Sequence, residues 1–126
     1  NMMNKSNYED VTKDVCKYFS ERIVKAKSFG INDIIIDPGF GFAKTIKQNY
    51  ELLNNLEILN QFERPILVGV SRKSMIYKTL KTTPEEALNG SSILNTISLI
   101  KGANILRTHD VKEASECVKL VSQLNG

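Results

Sequence analysis

One stretch decides the fold, and it reads Ile34-Ile35-Ile36-Asp37-Pro38-Gly39-Phe40-Gly41-Phe42-Ala43-Lys44-Thr45. Its three isoleucines predict a short strand that is buried on both faces. The strand ends abruptly, because Pro38 fixes its own φ and favours an extended backbone at Asp37. Asp37 therefore lies at the carboxyl end of a strand, where α/β folds place their binding sites. We expect this carboxylate to act in recognition or as a base; the alternative is that it only caps the turn.

On both sides of this stretch, apolar periodicity predicts helices and strands in alternation. Two further apolar strands are predicted at residues 66–70 and 105–108. Each predicted helix begins with a capping pattern, whose side chains can accept from the free N–H groups of the first turn. These capping boxes are Ser6-Asn7-Tyr8-Glu9, Thr45-Ile46-Lys47-Gln48, Thr83-Pro84-Glu85-Glu86 and Asp110 with Glu113.

The resulting order is helix, strand, helix, strand, helix, strand, helix, which is typical of an α/β fold with a parallel sheet. The strands repeat roughly every 35 residues, close to the unit of a (β/α)₈ barrel of about 250 residues. We therefore interpret the chain as the C-terminal portion of such a TIM barrel: helix 5, then βα units 6, 7 and 8. A small open α/β domain is the alternative. The sequence begins with Asn1, and we expect residues 1–126 to belong to one barrel domain whose N-terminal half lies elsewhere.

Composition excludes several classes of protein. The 126 residues are 41% hydrophobic and 25% charged, an ordinary balance for a globular domain, and neither a membrane span nor a signal peptide is visible. A net charge of +3 indicates a solvated surface, and no basic stripe with interleaved aromatic residues points to nucleic acid. The two cysteines, Cys16 and Cys117, lie in helical patterns and are expected in the core of a protein in a reducing compartment.

Chemically active residues follow all three predicted strands. Asp37 follows the first, Ser71-Arg72-Lys73-Ser74 the second, and Arg107-Thr108-His109 the third. In a barrel these loops face the same mouth. A carboxylate there suits an amino-heterocycle, whereas arginine with histidine at the start of a helix suits an anion.

Each of these side chains also has a structural interpretation. Arg72 and Lys73 are alternatively solvated charges, and His109 is alternatively a structural histidine bonded to the backbone. In the loop after the first strand, Phe42 is expected to line a pocket for a flat ligand. By contrast, we interpret Phe40 as a core residue and Lys44 as a surface or loop-anchoring lysine, not a catalytic one.

Three segments together resemble the dihydropteroate synthase family. They are residues 36–45, residues 68–74 and residues 107–111, in the order and spacing of that family's C-terminal half. The resemblance covers essentially the whole chain. It departs at Met2-Met3-Asn4, which is similar to the end of the family's fifth strand, because Met3 stands where a histidine is usual.

The resemblance implies a reaction. A 6-hydroxymethyl-7,8-dihydropterin diphosphate condenses with 4-aminobenzoate, giving 7,8-dihydropteroate and diphosphate in folate biosynthesis. The residues implied to be catalytic are Lys73, Arg107 and His109. The residues implied to bind substrate are Asp37, Lys73, Phe42, Ser74, Met2, Gly69, Arg107 and His109. Asp37 would hold the pterin NH groups, Met2 would pack on the pterin face, and Arg107 with His109 would bind diphosphate.

The resemblance also implies Mg²⁺, bound with the substrate diphosphate and held by a protein ligand in the missing half. We expect a cytoplasmic enzyme with small-molecule substrates, no nucleic-acid or membrane partner, and a homodimer formed through the last two helices. The chain alone is expected to be inactive. The alternatives are a pterin-binding barrel of the methyltransferase type, which lacks the Ser-Arg-Lys-Ser loop, and a non-catalytic paralogue.

Overall fold

A computed structural model describes residues 10–42 and 44–126, and within them helices alternate with short strand segments. The elements, in chain order, are α1 (Val11–Ser28), α2 (Ile46–Asn54), a first 3₁₀ helix (Leu56–Phe62), β1 (Leu67–Val68), α3 (Ser74–Tyr77), a second 3₁₀ helix (Pro84–Glu86), α4 (Leu88–Ile100), β2 (Ile105–Leu106) and α5 (Val111–Leu124). The predicted alternation is therefore confirmed for the second and third strands, which are shorter than predicted, whereas the strand predicted around residues 34–37 is reduced to an isolated bridge at Ile36. No helix in these ranges is both long and apolar enough to cross a membrane.

The strand segments pair in parallel, as predicted. Leu67 and Val68 of β1 lie opposite Ile105 and Leu106 of β2. On the other side of β1, Ile36 and Ile66 form an isolated parallel bridge. The segment around β1 is thus central, and the chain that follows each segment leaves the sheet at the same edge.

Burial on both faces was predicted for the first strand, and this is wrong. Ile36 is 2% exposed, whereas its neighbour Ile35 is 56% exposed. Successive side chains of a strand point to opposite faces, so only one of the two can enter the core that the helices cover. Ile66 and Val68 obey the same alternation on the central segment, where both are fully buried.

The core lies between the helices and this covered face of the sheet. Phe40 is 1% exposed and belongs to the core, so its structural interpretation is confirmed. Both cysteines are free; Cys117 is buried, and Cys16 is half-buried. Burial, with a smaller contribution from Asp10, raises the pKa of the Cys16 thiol, which suits a packing role.

One of the predicted capping boxes is confirmed in both directions. Thr45 Oγ1 accepts from the Gln48 backbone N–H at 3.1 Å, and Gln48 Oε1 accepts from the Thr45 N–H at 2.8 Å. The box predicted at residues 6–9 lies outside the described residues. At the start of α1, Asp10 Oδ1 accepts from the Lys13 N–H at 3.0 Å.

The other two predicted boxes are wrong, and both corrections involve Arg72. Thr83 makes no capping bond; a 3₁₀ turn follows it, and α4 begins only at Leu88. The carbonyls of Pro84 and Glu85 in that turn accept from Arg72 Nη1. Asp110 does not cap α5 with its side chain, because both of its carboxylate oxygens accept from Arg72.

Candidate functional site

The three strand-end loops converge, and direct contacts join them. Arg107 Nη1 lies 3.3 Å from Asp37 Oδ2, which connects the third loop to the first. Ser71 Oγ lies 2.8 Å from His109 Nδ1, which connects the second loop to the third. Residues up to 70 positions apart in sequence therefore share one edge of the sheet.

A cleft of about 260 Å³ opens between the second and third loops. Its lining residues are Gly69, Ser71, Lys73, Arg107, Thr108 and His109. Lysine and arginine carry hydrogen-bond donors only, and histidine can add another, so the cleft concentrates donors and positive charge. Such a lining is chemically suited to a phosphate or diphosphate group.

A second cavity, of about 420 Å³, lies beside the first loop. Asp37 and Phe42 line it together with Pro38, Gly39, Lys44 and residues of α1, which are mostly apolar but include Asp14. The predicted site residues that line a cavity are therefore divided between two neighbouring ones. The Asp37–Arg107 pair stands at the boundary between them.

Asp37 has two separate partners. Its Oδ1 accepts from the Gly39 backbone N–H at 2.9 Å, and Gly39 has a left-handed φ of +73°. The turn-capping interpretation is thus right for one oxygen. The other oxygen pairs with Arg107, whose side chain is 56% exposed, against 35% for that of Asp37. An exposed ion pair of this length contributes little to stability. A ligand can therefore replace either partner of the pair at a small cost in free energy.

The loop after Asp37 is held by two anchors. Lys44 Nζ donates to the carbonyls of Gly39 at 2.9 Å and Phe42 at 3.1 Å. Burial lowers the pKa of the Lys44 ammonium, and the Asp37 charge opposes that shift. Of the two roles considered for Lys44, surface residue or loop anchor, the structure confirms the loop anchor.

The second anchor is Asn49, which the sequence interpretation missed. Its Oδ1 accepts from the Gly41 N–H at 2.9 Å, its Nδ2 donates to the Thr45 carbonyl, and the residue is 1% exposed. A signal was present, since Asn49 shares the buried face of a helix with Leu52 and Leu53. A polar residue on an apolar face needs a partner.

Lys73, which lines the cleft, contacts Phe42, which lines the second cavity. The Lys73 ammonium lies 4.9 Å from the centroid of the Phe42 ring, a cation–π geometry. Phe42 is 64% exposed and offers a flat face to a ligand. Ser74 follows Lys73 directly as the first residue of α3, half-buried and not among the residues that line the cleft. Met2 lies outside the described residues.

Arg72 is neither solvated nor part of the cleft lining, so its interpretation as a solvated charge is wrong. Its Nε and Nη2 donate to the two Asp110 oxygens at 3.0 and 2.9 Å. This fork lowers the pKa of the Asp110 carboxyl. Arg72 also has a left-handed φ of +54°, and its N–H donates to the buried Ser91 hydroxyl. The turn at Arg72 is thereby held in place immediately before Lys73.

Gly69 contributes to the site because it has no side chain. A Cβ at this position would lie 2.6 Å from Arg107 Nη2 and 3.0 Å from Arg107 Cζ. The Arg107 guanidinium therefore lies directly against the Gly69 backbone. A glycine here lets Arg107 reach across to Asp37.

Comparisons with known proteins agree with this geometry. Residues 1–109 match the family model described as "Pterin binding enzyme". The dihydropteroate synthase of Escherichia coli (strain K12) is 43% identical over 122 residues, which cover 95% of this chain and 43% of that protein.

Solved structures of similar proteins extend the match to three dimensions. The Yersinia pestis dihydropteroate synthase with a pterine-sulfa conjugate superposes with a TM-score of 0.91 at 39% identity, covering 94% of this chain and 48% of that one. The Coxiella burnetii dihydropteroate synthase in complex with pteroic acid superposes with a TM-score of 0.85 at 41% identity, covering 87% and 42%. The chain spans less than half the length of each of these relatives. The matches confirm part of a (β/α)₈ barrel and exclude the small open α/β domain.

Proposed function

The chain belongs to the pterin-binding enzyme family, and from this premise we propose that it is part of a dihydropteroate synthase. The full-length protein would condense 6-hydroxymethyl-7,8-dihydropterin diphosphate with 4-aminobenzoate, a transferase reaction of folate biosynthesis. One observation carries the proposal: the donor-rich cleft of Arg107, His109 and Lys73 adjoins a half-exposed carboxylate, Asp37. A pterin diphosphate needs both kinds of group at such a short separation.

The diphosphate end of the substrate fits the donor-rich cleft. Arg107 would hold two phosphate oxygens with its planar fork, and His109 would donate to a third. Negative charge grows on the diphosphate as its bond to the pterin methylene carbon breaks. Donors fixed in advance around that charge lower the barrier, so Arg107 and His109 would favour departure of the leaving group.

The pterin ring fits the neighbouring cavity. Among the residues that the structure describes, Asp37 Oδ2 has only the 3.3 Å contact with Arg107, so it is available to accept from ring NH groups when Arg107 turns to the diphosphate. The first oxygen stays bonded to Gly39, which fixes the plane of the carboxylate. Met2 remains a predicted contact to the pterin face.

The 4-aminobenzoate ring would lie near Lys73, Phe42 and Ser74. Lys73 stacks on the Phe42 ring and borders the cleft, so its ammonium can reach both the pterin and the incoming aromatic ring. The amine of 4-aminobenzoate then attacks the methylene carbon that diphosphate leaves. An aromatic amine is nucleophilic when neutral, so this step needs orientation more than a general base.

Magnesium remains a prediction from the resemblance. Within residues 10–42 and 44–126 no group of three or more histidine, cysteine or acidic side chains could hold a metal ion. These residues do not form a resident Mg²⁺ site, and we derive no step through the metal. By the resemblance, Mg²⁺ bound with the substrate diphosphate would take its protein ligand from the missing half of the barrel.

We further propose a homodimer formed through the last two helices. Ile93 and Ile100 lie seven residues apart on α4, and Val111 and Val118 lie seven apart on α5; all four are 44% to 71% exposed. A spacing of seven places each pair on one helix face. Each face offers exposed apolar side chains of the kind that dimers bury. A cytoplasmic location also remains a prediction.

The proposal is tested with a chimera, in which this chain is joined to the part of the Escherichia coli relative that it does not match. We expect the chimera to form dihydropteroate and the chain alone to form none. Arg107→Gln should lower kcat/KM at least about 100-fold, the effect of removing a preorganised charge donor. Lys47→Gln, on the exposed side of α2, is the matched control for loss of a cation.

Other outcomes identify other functions. A folded chimera that binds the pterin diphosphate without forming product indicates the non-catalytic paralogue. A chimera that demethylates a methylated pterin and ignores 4-aminobenzoate indicates the methyltransferase type. Equal activity of Arg107→Gln and Lys47→Gln would contradict the assigned cleft.

A further inference from the structure

Ser71 is buried beside His109 and makes two hydrogen bonds with that residue. Its Oγ lies 2.8 Å from His109 Nδ1 and accepts from the His109 backbone N–H at 3.1 Å. Ser71 itself is 5% exposed. The hydroxyl therefore contacts both the main chain and the side chain of a residue 38 positions away.

The direction of the side-chain bond follows from the protons available. A serine hydroxyl has one donor and two acceptor sites, and the His109 N–H occupies one acceptor. If Nδ1 carried the ring proton and donated it, the hydroxyl proton would need another acceptor. The described residues offer none within hydrogen-bond distance. A buried unpaired donor is costly, so the hydroxyl donates to Nδ1.

From this we infer that Ser71 is a positioning residue, which holds the neutral ring of His109 as the Nε2–H tautomer and leaves that N–H for the cleft. Nδ1 faces Ser71, so Nε2 lies on the opposite side of the ring, and His109 lines the cleft. Histidine then acts as a donor at this place and not as a base. Arg107 and Lys73, the cations that share the cleft, are donors too, and the three together match an anion.

The use of this N–H for a diphosphate rests on the proposed function, but the tautomer does not. The two are therefore tested by different measurements. The ring signals of His109 report the tautomer without any substrate. Titration with inorganic diphosphate reports the anion site.

The tautomer is measured by ¹⁵N NMR of the histidine-labelled chimera near pH 8, where an imidazole ordinarily carries no charge. The His109 signals are those lost in His109→Gln. We expect the wild type to show one tautomer, protonated at Nε2, and Ser71→Ala to show signals shifted toward a mixture of both tautomers. Protonation at Nδ1 in the wild type, or identical ring signals in Ser71→Ala, would overturn the inference.

Two further variants keep the test decisive. Ser98→Ala removes another fully buried hydroxyl, bonded within its own helix to the Leu94 carbonyl, and should leave the His109 signals unchanged. Ser71→Cys keeps a side chain of similar size but only a weak donor. It should shift the signals in the same direction even where Ser71→Ala does not fold, and unchanged signals there would also overturn the inference.

Measuring the affinity for inorganic diphosphate distinguishes a failure of the inference about Ser71 from a failure of the proposed function. We expect Ser71→Ala to bind inorganic diphosphate about fivefold more weakly, the effect of disturbing one hydrogen bond. A changed tautomer with unchanged diphosphate affinity would support the role of Ser71 and contradict the diphosphate role of the cleft.

Discussion

The contact between Gly69 and Arg107 predicts a variant that loses function and keeps its stability. In Gly69→Ala the new methyl group would lie 2.6 Å from Arg107 Nη2. Nonbonded heavy atoms settle near 3.5 Å, so the guanidinium must retreat by ~1 Å. Its contact with Asp37 is already 3.3 Å long and would be lost. Misplacement of a catalytic group by about 1 Å can cost a factor of about 100 in rate.

Stability should hardly change, because the atoms that must move belong to the end of a half-exposed side chain. The φ of Gly69 is not in the left-handed region, so alanine adds no backbone strain. Although Gly69 is buried, the added methyl displaces only the flexible end of the Arg107 side chain, so we expect the free energy of unfolding of the chimera to change by less than ~0.5 kcal/mol. Urea unfolding measures it, and kcat/KM for the pterin diphosphate should fall between about 10-fold and 100-fold.

Gly90→Ala is the contrasting variant. A Cβ there would collide with Cγ2 of the buried Ile76, so the core must adjust, and we expect a loss of about 1–3 kcal/mol in the free energy of unfolding. If Gly69→Ala proved as destabilising as Gly90→Ala, or turned over substrate like the wild type, the assigned role of Gly69 would be refuted.

Three more substitutions test the loops around the site. Asn49→Ala would leave the Gly41 N–H without its partner, and we expect it to lower the free energy of unfolding in urea by about 1–3 kcal/mol. Thr45→Ala removes one half of the capping box of α2 and should cost about 1 kcal/mol by the same measurement; a change within error would contradict the cap. Asp110→Asn addresses pH, since Arg72 lowers the pKa of the Asp110 carboxyl in the folded protein. That stabilisation is present above the unfolded pKa of about 4 and is lost as the pH falls through the lower folded pKa. Thermal unfolding should therefore show wild type more stable than Asp110→Asn at pH 7 and the difference shrinking below about pH 4, whereas a constant difference would exclude the linkage.

The structure also separates two adjacent cations by role. Arg72 has its guanidinium bonded to Asp110 and to two carbonyls of the turn before α4. Lys73, one residue later, borders the cleft and lies over Phe42. Arg72 joins the second and third loops, which leaves Lys73 and His109 facing the same space. The site is thus held together partly by Arg72 and Asp110, two side chains that do not line either cavity.

Patterns among residues close together in the sequence were enough to predict the order of helices and strands and one helix cap. The alternation of helix and strand, the parallel sheet and the Thr45–Gln48 cap all depend on residues close together in the chain. The strand-end positions of Asp37, Lys73 and His109 follow from the same local patterns. These features are decided by backbone geometry and by the periods of helix and strand, which neighbouring residues specify.

Only the tertiary structure decided which of those residues meet. Ile35 was predicted to be buried because the sequence does not tell which face the helices cover. Asp110 has the pattern of a helix cap, yet Arg72, 38 residues away, takes both of its oxygens. The Ser71–His109 bond likewise depends on two strands lying side by side. A side chain bonds to the best partner within hydrogen-bond distance. Which residues of neighbouring strands lie within that distance is decided by the packing of the whole chain.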